Sequence, residues 1–213
     1  MVTHLTRDEA IDLLVQRDLA RLSREEREAL LLDWWSIDAG DPDYEGLPDL
    51  LKVMIARTDE PGNPKGAIYD PLLKIALKHS YTGVVNSYLK NQIALLGLDD
   101  VVKGDVEELA TCPCCGYRSL EESAAYDICR VCFWEDDGTT EFDRHSGPNH
   151  MTLRDAQQNF QRIGAVTEEV RRYVLSDGRD RYLSEKSVCN ALDKQSNLPI
   201  ANDLAIGAAS SIK

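Results

Sequence analysis

At 213 residues, with 43% hydrophobic and 29% charged content, the chain is long enough for one globular domain or a helical domain with a small appendage, and too apolar for a disordered one. Its 37 acids against 24 bases give a formal net charge of −13, which repels phosphate backbones and anionic headgroups, so direct nucleic-acid binding is disfavoured and a basic protein partner favoured. No stretch reaches the roughly 18 to 20 apolar residues of a membrane span, and residues 1–16 lack the basic start and apolar run of a signal peptide, so a cytoplasmic protein is expected.

Periodicity and caps predict helices through the first hundred residues. Thr6 and Glu9 fit a capping box, followed by an apolar stripe of Ile11, Leu14, Val15, Leu19 and Leu22. Ser23 and Glu26 repeat the signal ahead of Leu30, Leu31, Trp34 and Trp35, which makes a helical hairpin. Asp33 to Asp49 is an acidic, aromatic stretch punctuated by Gly and Pro, holding six acids and no Lys or Arg. A third helix is predicted from about Pro48 through Leu50, Leu51, Met54 and Ile55, ending before the breaker run 59–64. Asp70 as N-cap with Pro71 in the first turn opens a fourth through Leu72, Ile75, Ala76 and His79. A fifth carries Val85, Tyr88, Leu89, Ile93 and Leu96 and stops at Gly97. Residues 1–98 are therefore expected to form an all-α bundle.

From Asp99 to Arg144 thirteen acids face four bases, in the segment that also holds five of the six cysteines. Helical periodicity returns at Leu153, Ala156, Phe160 and Ile163, capped by Thr152 and closed by Gly164, and a short further helix is expected after Thr167. The expected fold class is mainly α: an N-terminal helical bundle, a small zinc-bound β-hairpin or knuckle module over 99–175, and C-terminal helices. Residues 176–213 read as a partly loose extension that contains the isolated Cys189.

Cys112-Pro-Cys-Cys115 and Cys129-Arg-Val-Cys132 form two C-x₂-C pairs with 13 residues between them. A two-residue gap lets both sulfurs of one tight turn face a single metal, and two such turns supply a tetrahedral set. Cys112, Cys115, Cys129 and Cys132 are the expected ligands of a structural Zn²⁺, with Cys114 pointing outward or substituting for one of them. Two other chemistries use such residues. A rubredoxin-type iron site has the same ligands, but Phe133 stands where the second turn would carry glycine. Thiol redox chemistry would use the proline-containing C-x-x-C, although no thioredoxin-like βαβ pattern surrounds it.

The stretches Cys112-Pro-Cys-Cys-Gly-Tyr117, Tyr126-Asp-Ile-Cys-Arg-Val-Cys-Phe-Trp-Glu-Asp-Asp-Gly138, Gly147-Pro-Asn-His-Met-Thr-Leu-Arg-Asp-Ala-Gln-Gln-Asn-Phe160 and Ile163-Gly-Ala165 resemble the cysteine-rich CPCC family of bacterial proteins over roughly residues 111–175. Arg130 departs from the proline expected there. The resemblance implies a small zinc domain in a bacterial protein, and the similarity of several relatives to immunity proteins of interbacterial toxin systems implies a role of that kind.

Phe133 and Trp134, followed by Glu135, Asp136 and Asp137, are candidates for an aromatic and acidic partner surface, as are Asp41, Asp43 and Tyr44 in the first acidic stretch. The competing reading packs Phe133 and Trp134 against the bundle and leaves the acids solvated. His145 and His150 read as loop residues, because four cysteines already complete a shell, and His79 as a core or boundary histidine. No nucleophile elbow, zincin or P-loop pattern occurs, so no catalytic residue is nominated. The function expected is a non-enzymatic acidic immunity protein that neutralises a basic toxin. The alternatives are a thiol oxidoreductase built on Cys114 and its neighbours, and a regulatory adaptor.

Overall fold

The first two helices begin where side chains replace the hydrogen bonds a helix start lacks. In a computed structural model, which describes residues 4–185, α1 (Arg7–Arg21) and α2 (Arg24–Trp34) both open with reciprocal capping boxes, Thr6 with Glu9 and Ser23 with Glu26. A 3-10 turn over Pro42–Gly46 leads into α3 (Asp49–Arg57). Another 3-10 turn, Ala67–Tyr69, enters α4 (Asp70–His79), so Tyr69 occupies the cap position and Asp70 lies one residue inside. From there Asp70 accepts a 2.7 Å hydrogen bond from Arg27 and ties α4 to α2. The fifth helix, α5 (Asn86–Ala94), is shorter than its apolar run, ending in turns before Gly97.

Two apolar clusters result. One gathers Leu31, Trp35, Leu47, Leu51, Leu72 and Leu73 from α2, α3 and the start of α4. The larger one takes Leu14, Tyr81, Leu89 and Ile93 from the bundle and continues without interruption into Cys112, Cys129, Cys132, Trp134, Leu153 and Phe160. The bundle and the cysteine-bearing segment share this core.

Two contacts far apart in sequence fasten them. β1 (His4–Thr6) pairs in parallel with β2 (Val101–Lys103). Arg7, only 5% exposed, donates to the Val84 and Tyr81 carbonyls and to Glu107, 2.6 Å away. Neither the strand pairing nor the burial of Arg7 belongs to the sequence expectation, because both depend on partners dozens of residues away.

The second half contains two short antiparallel pairs, β3 (Ala110–Thr111) with β4 (Arg118–Leu120) and β5 (His145–Ser146) with β6 (Met151–Thr152). Then α6 (Leu153–Ile163) starts on Thr152 and ends at Gly164, whose φ of 81° a glycine accommodates without penalty. The helix expected after Thr167 is reduced to a 3-10 turn, Arg171–Tyr173, followed by the one-turn α7 (Gly178–Arg181). Residues 176–185 pack back onto the module: Arg118 N–H donates to the Leu183 carbonyl, and Glu185 N–H to that of Gly116. The expected loose tail and Cys189 lie outside the described residues.

Candidate metal centre

Each C-x₂-C pair is held by the same backbone pattern. In the first, Cys112 N–H donates to the Tyr117 carbonyl and Gly116 N–H returns to that of Cys112, both at 2.9 Å. In the second, Cys129 N–H donates to Trp134 and Phe133 N–H to Cys129, both at 2.8 Å. The residue after each pair adopts a left-handed conformation, Gly116 at φ 75° and Phe133 at φ 70°. For a residue with a Cβ that conformation costs about 1–2 kcal/mol. Stacking of the Phe133 ring on Tyr173, with centroids 5.6 Å apart, accompanies the strained turn. The phenylalanine therefore does not set the second turn apart from a glycine turn, and its presence is no argument between zinc and iron.

These two turns bring Cys112, Cys115, Cys129 and Cys132 together, all four sulfurs within 4.8 Å of one another. The Cys112–Cys132 and Cys115–Cys129 pairs are each 3.6 Å apart. A tetrahedral metal with sulfur ligands at about 2.3 Å sets its sulfurs about 3.8 Å apart, so the spacing fits one ion. The donors suit a thiophilic metal, and Cys112, Cys129 and Cys132 are fully buried. Further polar groups surround Cys129: Ser119 Oγ lies 3.0 Å from its sulfur, and Val131 N–H donates to it at 3.4 Å.

The protonation pattern is that of four sulfurs crowded together. Burial raises the Cys129 thiol, but hydrogen bonds from Cys112, Cys115, Cys132 and Ser119 outweigh it and hold this sulfur well below its usual range. Cys112 is pushed up by its hydrogen bonds to Cys115 and Cys129, and Cys132 by burial first and its sulfur neighbours second. One thiolate is thus favoured and others opposed, and a divalent ion would supply the charge that lets all four ionise.

Cys114 is buried in the shared core and its sulfur stands outside the cluster, so it neither points outward nor replaces a ligand. His145 and His150 are exposed and not part of the cluster. His79 bridges to Asp43 at 2.7 Å and its ring lies 4.6 Å from that of Trp34, a boundary position.

The proposed acidic and aromatic surface after Cys132 needs correction. Trp134 is fully buried, and Asp136 is 3% exposed. The Asp136 carboxylate accepts the N–H groups of Ala124 at 2.9 Å and Gly138 at 3.3 Å, closing the loop between the knuckles. Neither side chain offers surface to a partner, because pairing of Ile128 with Glu135 turns alternate residues inward. Glu135 and Asp137 are half-buried. Asp137 is raised by burial but held below the usual carboxylate range by hydrogen bonds from Thr139 and Ser146. Of the first acidic stretch, Asp41 accepts the Asp43 N–H, Asp43 faces His79, and Tyr44 lies under Lys52.

Sequence reasoning overlooked Ser119 and Asn149. The latter holds the Glu135 backbone by both its N–H and its carbonyl and also donates to Ser146. Its place beside Pro148, in a turn following the knuckle, was the available signal.

Among the described residues, no helix is long and apolar enough to cross a membrane. No curated protein and no solved structure matches the chain. Residues 110–180 match the family model described as Cysteine-rich CPCC, and the segment that gathers the four sulfurs is therefore a CPCC domain.

Proposed function

We propose that the chain is a zinc-organised, non-enzymatic bacterial protein that neutralises a basic toxin by covering its active surface. A closed set of four sulfurs leaves no coordination position for substrate or water, which suits an architectural ion. Zinc is the redox-silent ion for such a set. The thiol-oxidoreductase alternative needs an exposed attacking sulfur, whereas Cys114 is buried and the half-buried Cys115 is gathered into the cluster.

The observation that carries the binding role is a groove of about 340 Å³ lined by Asp33, Trp34, Ser36, Ile37, Asp38 and Asp41. No base lines it. Asp43 and Glu45 face His79 and Lys52, whereas Asp33, Asp38 and Asp41 make no ion pair among the described residues. A cationic side chain entering there would meet carboxylates above an aromatic wall. The immunity role in particular draws on the CPCC resemblance.

The test is association with the product of a toxin gene adjacent to this one, followed across a salt series. The Asp33→Lys/Asp38→Lys variant should associate about tenfold more slowly at low salt and converge with wild type at high salt. Equal rates at every salt concentration, or no complex at all, would reject the reading.

A further inference from the structure

The face behind the second knuckle contradicts the charge of the whole molecule. A groove of about 530 Å³ runs between the end of α6 and the turns before α7, and its lining includes Arg162, Arg171 and Arg179 but not one acid. In a chain of net charge −13 this local excess is unexpected.

The three guanidinium groups are only partly used. Arg179 lies 4.6 Å over the Phe160 ring and donates one long hydrogen bond, 3.4 Å, to the Phe160 carbonyl at the end of α6. Arg162 donates to Asn159, also on α6, at 3.1 Å. Arg171 faces Glu168 at 3.1 Å, with both side chains more than half exposed, so solvent screens that pair. Neither Arg162 nor Arg179 makes an ion pair among the described residues. Each guanidinium carries five N–H donors, so capping one helix carbonyl leaves most of them available.

The rest of the groove has a different character. Val131 and Leu175 give it an apolar wall, and Ser176 adds a hydroxyl. This wall is fixed to the metal module: Val131 lies inside the second C-x₂-C turn, and Leu175 N–H donates to the Arg130 carbonyl at 3.1 Å.

We infer that this groove binds a small phosphate monoester, its phosphate on Arg162, Arg171 and Arg179 and its organic body against Val131 and Leu175. Planar guanidinium groups match phosphate oxygens in pairs, and the volume falls within the range of small-ligand sites. The acidic remainder of the surface selects a small anion over a polymer, because each further phosphate of a nucleic acid would leave the groove and meet carboxylates. This site is separate from the acidic groove and does not depend on the toxin-binding reading.

The experiment titrates the full-length, metal-replete protein with inorganic phosphate, AMP and adenosine at constant ionic strength made up with chloride, followed by amide chemical shifts and calorimetry. Phosphate and AMP should saturate, AMP more tightly, with shifts centred on Val131, Gly164 and Ser176, while uncharged adenosine leaves them unmoved. Arg162→Gln and Arg171→Gln, both at exposed positions, should each weaken AMP binding about tenfold, the worth of one charge-assisted hydrogen bond. Arg154→Gln, outside the groove, should leave binding unchanged. Shifts that follow ionic strength alone would overturn the proposal, as would equal weakening by Arg154→Gln. An oligonucleotide binding more tightly than AMP would overturn it in favour of a polyanion surface.

Discussion

Removing the metal should unfold much more than the knuckle. Cys112, Cys129 and Cys132 belong to the same apolar cluster as Leu14, Tyr81, Leu89 and Ile93, so no boundary of solvent or polar residues separates the site from α1, α4 and α5. A closed Cys₄ zinc site contributes on the order of 10 kcal/mol or more to folding at neutral pH. The net stability of a whole domain is about 5–15 kcal/mol. The two quantities are comparable, and without an ion sulfurs as close as 3.6 Å would lack the charge that lets them ionise together. We expect one zinc per chain by elemental analysis. Displacement by a mercurial, with the released ion read by a colorimetric chelator, should be matched by loss of far-UV helical signal from the bundle. The near-UV signal that disappears in Trp134→Phe isolates the fully buried Trp134 of the module from Trp34 and Trp35 of the bundle. Stripped protein that keeps the helical signal and melting temperature of the loaded form would show that the bundle does not depend on the site. Iron in the native protein would refute the zinc assignment while leaving the structural argument standing.

Two further outcomes follow from the fold. Asp136→Ala should destabilise by about 1–3 kcal/mol in urea unfolding, because it removes the carboxylate that accepts the Ala124 and Gly138 N–H groups; a loss under about 0.5 kcal/mol would return Asp136 to the solvated surface. At Glu107 burial raises the carboxyl, but hydrogen bonds from Arg7 and the Gly83 N–H hold it below its ordinary value of 4.5. Its contribution is therefore complete above that value and is lost as pH falls through the depressed native one, so acid should narrow the stability gap between wild type and Glu107→Gln. With Glu107 about half exposed, solvent limits the effect to about 1 kcal/mol, and a gap that widens on acidification would contradict the assignment.

What could be read from the sequence is local chemistry. Capping at Thr6, Ser23 and Thr152 involves residues three apart, and each cysteine pair is set by its two-residue gap, so short windows sufficed. What could not be read depends on distant partners. Arg7 stands in the first turn of an amphipathic helix, where a charge is ordinarily solvated; the Tyr81 and Val84 carbonyls, in the link between α4 and α5, and the Glu107 carboxylate offset the cost of its burial. The Glu-Asp-Asp run after Trp134 has the composition of a surface, yet the single antiparallel bridge between Ile128 and Glu135 decides which carboxylate turns inward. Phe133 violates the glycine preference of its turn, and the ring that stacks on it comes from Tyr173, forty residues on.

That the CPCC segment shares a core with the bundle bears on what the metal is for. Four sulfurs and two tight turns fix only a few residues, and a module this small buries too little apolar surface to stand alone without its ion. Here the anchoring by the four-cysteine cluster reaches further in two directions. Trp134, on the second knuckle, belongs to the cluster that holds the bundle side chains, while Gly116 and Arg118, flanking the first, receive and give hydrogen bonds to Glu185 and Leu183. The C-terminal segment is thereby held to the first knuckle, and the turn before it, through Leu175 and Arg130, to the second. A metal at this point would set the positions of the bundle and of the arginine-bearing turns together, as a keystone between two surfaces of opposite charge.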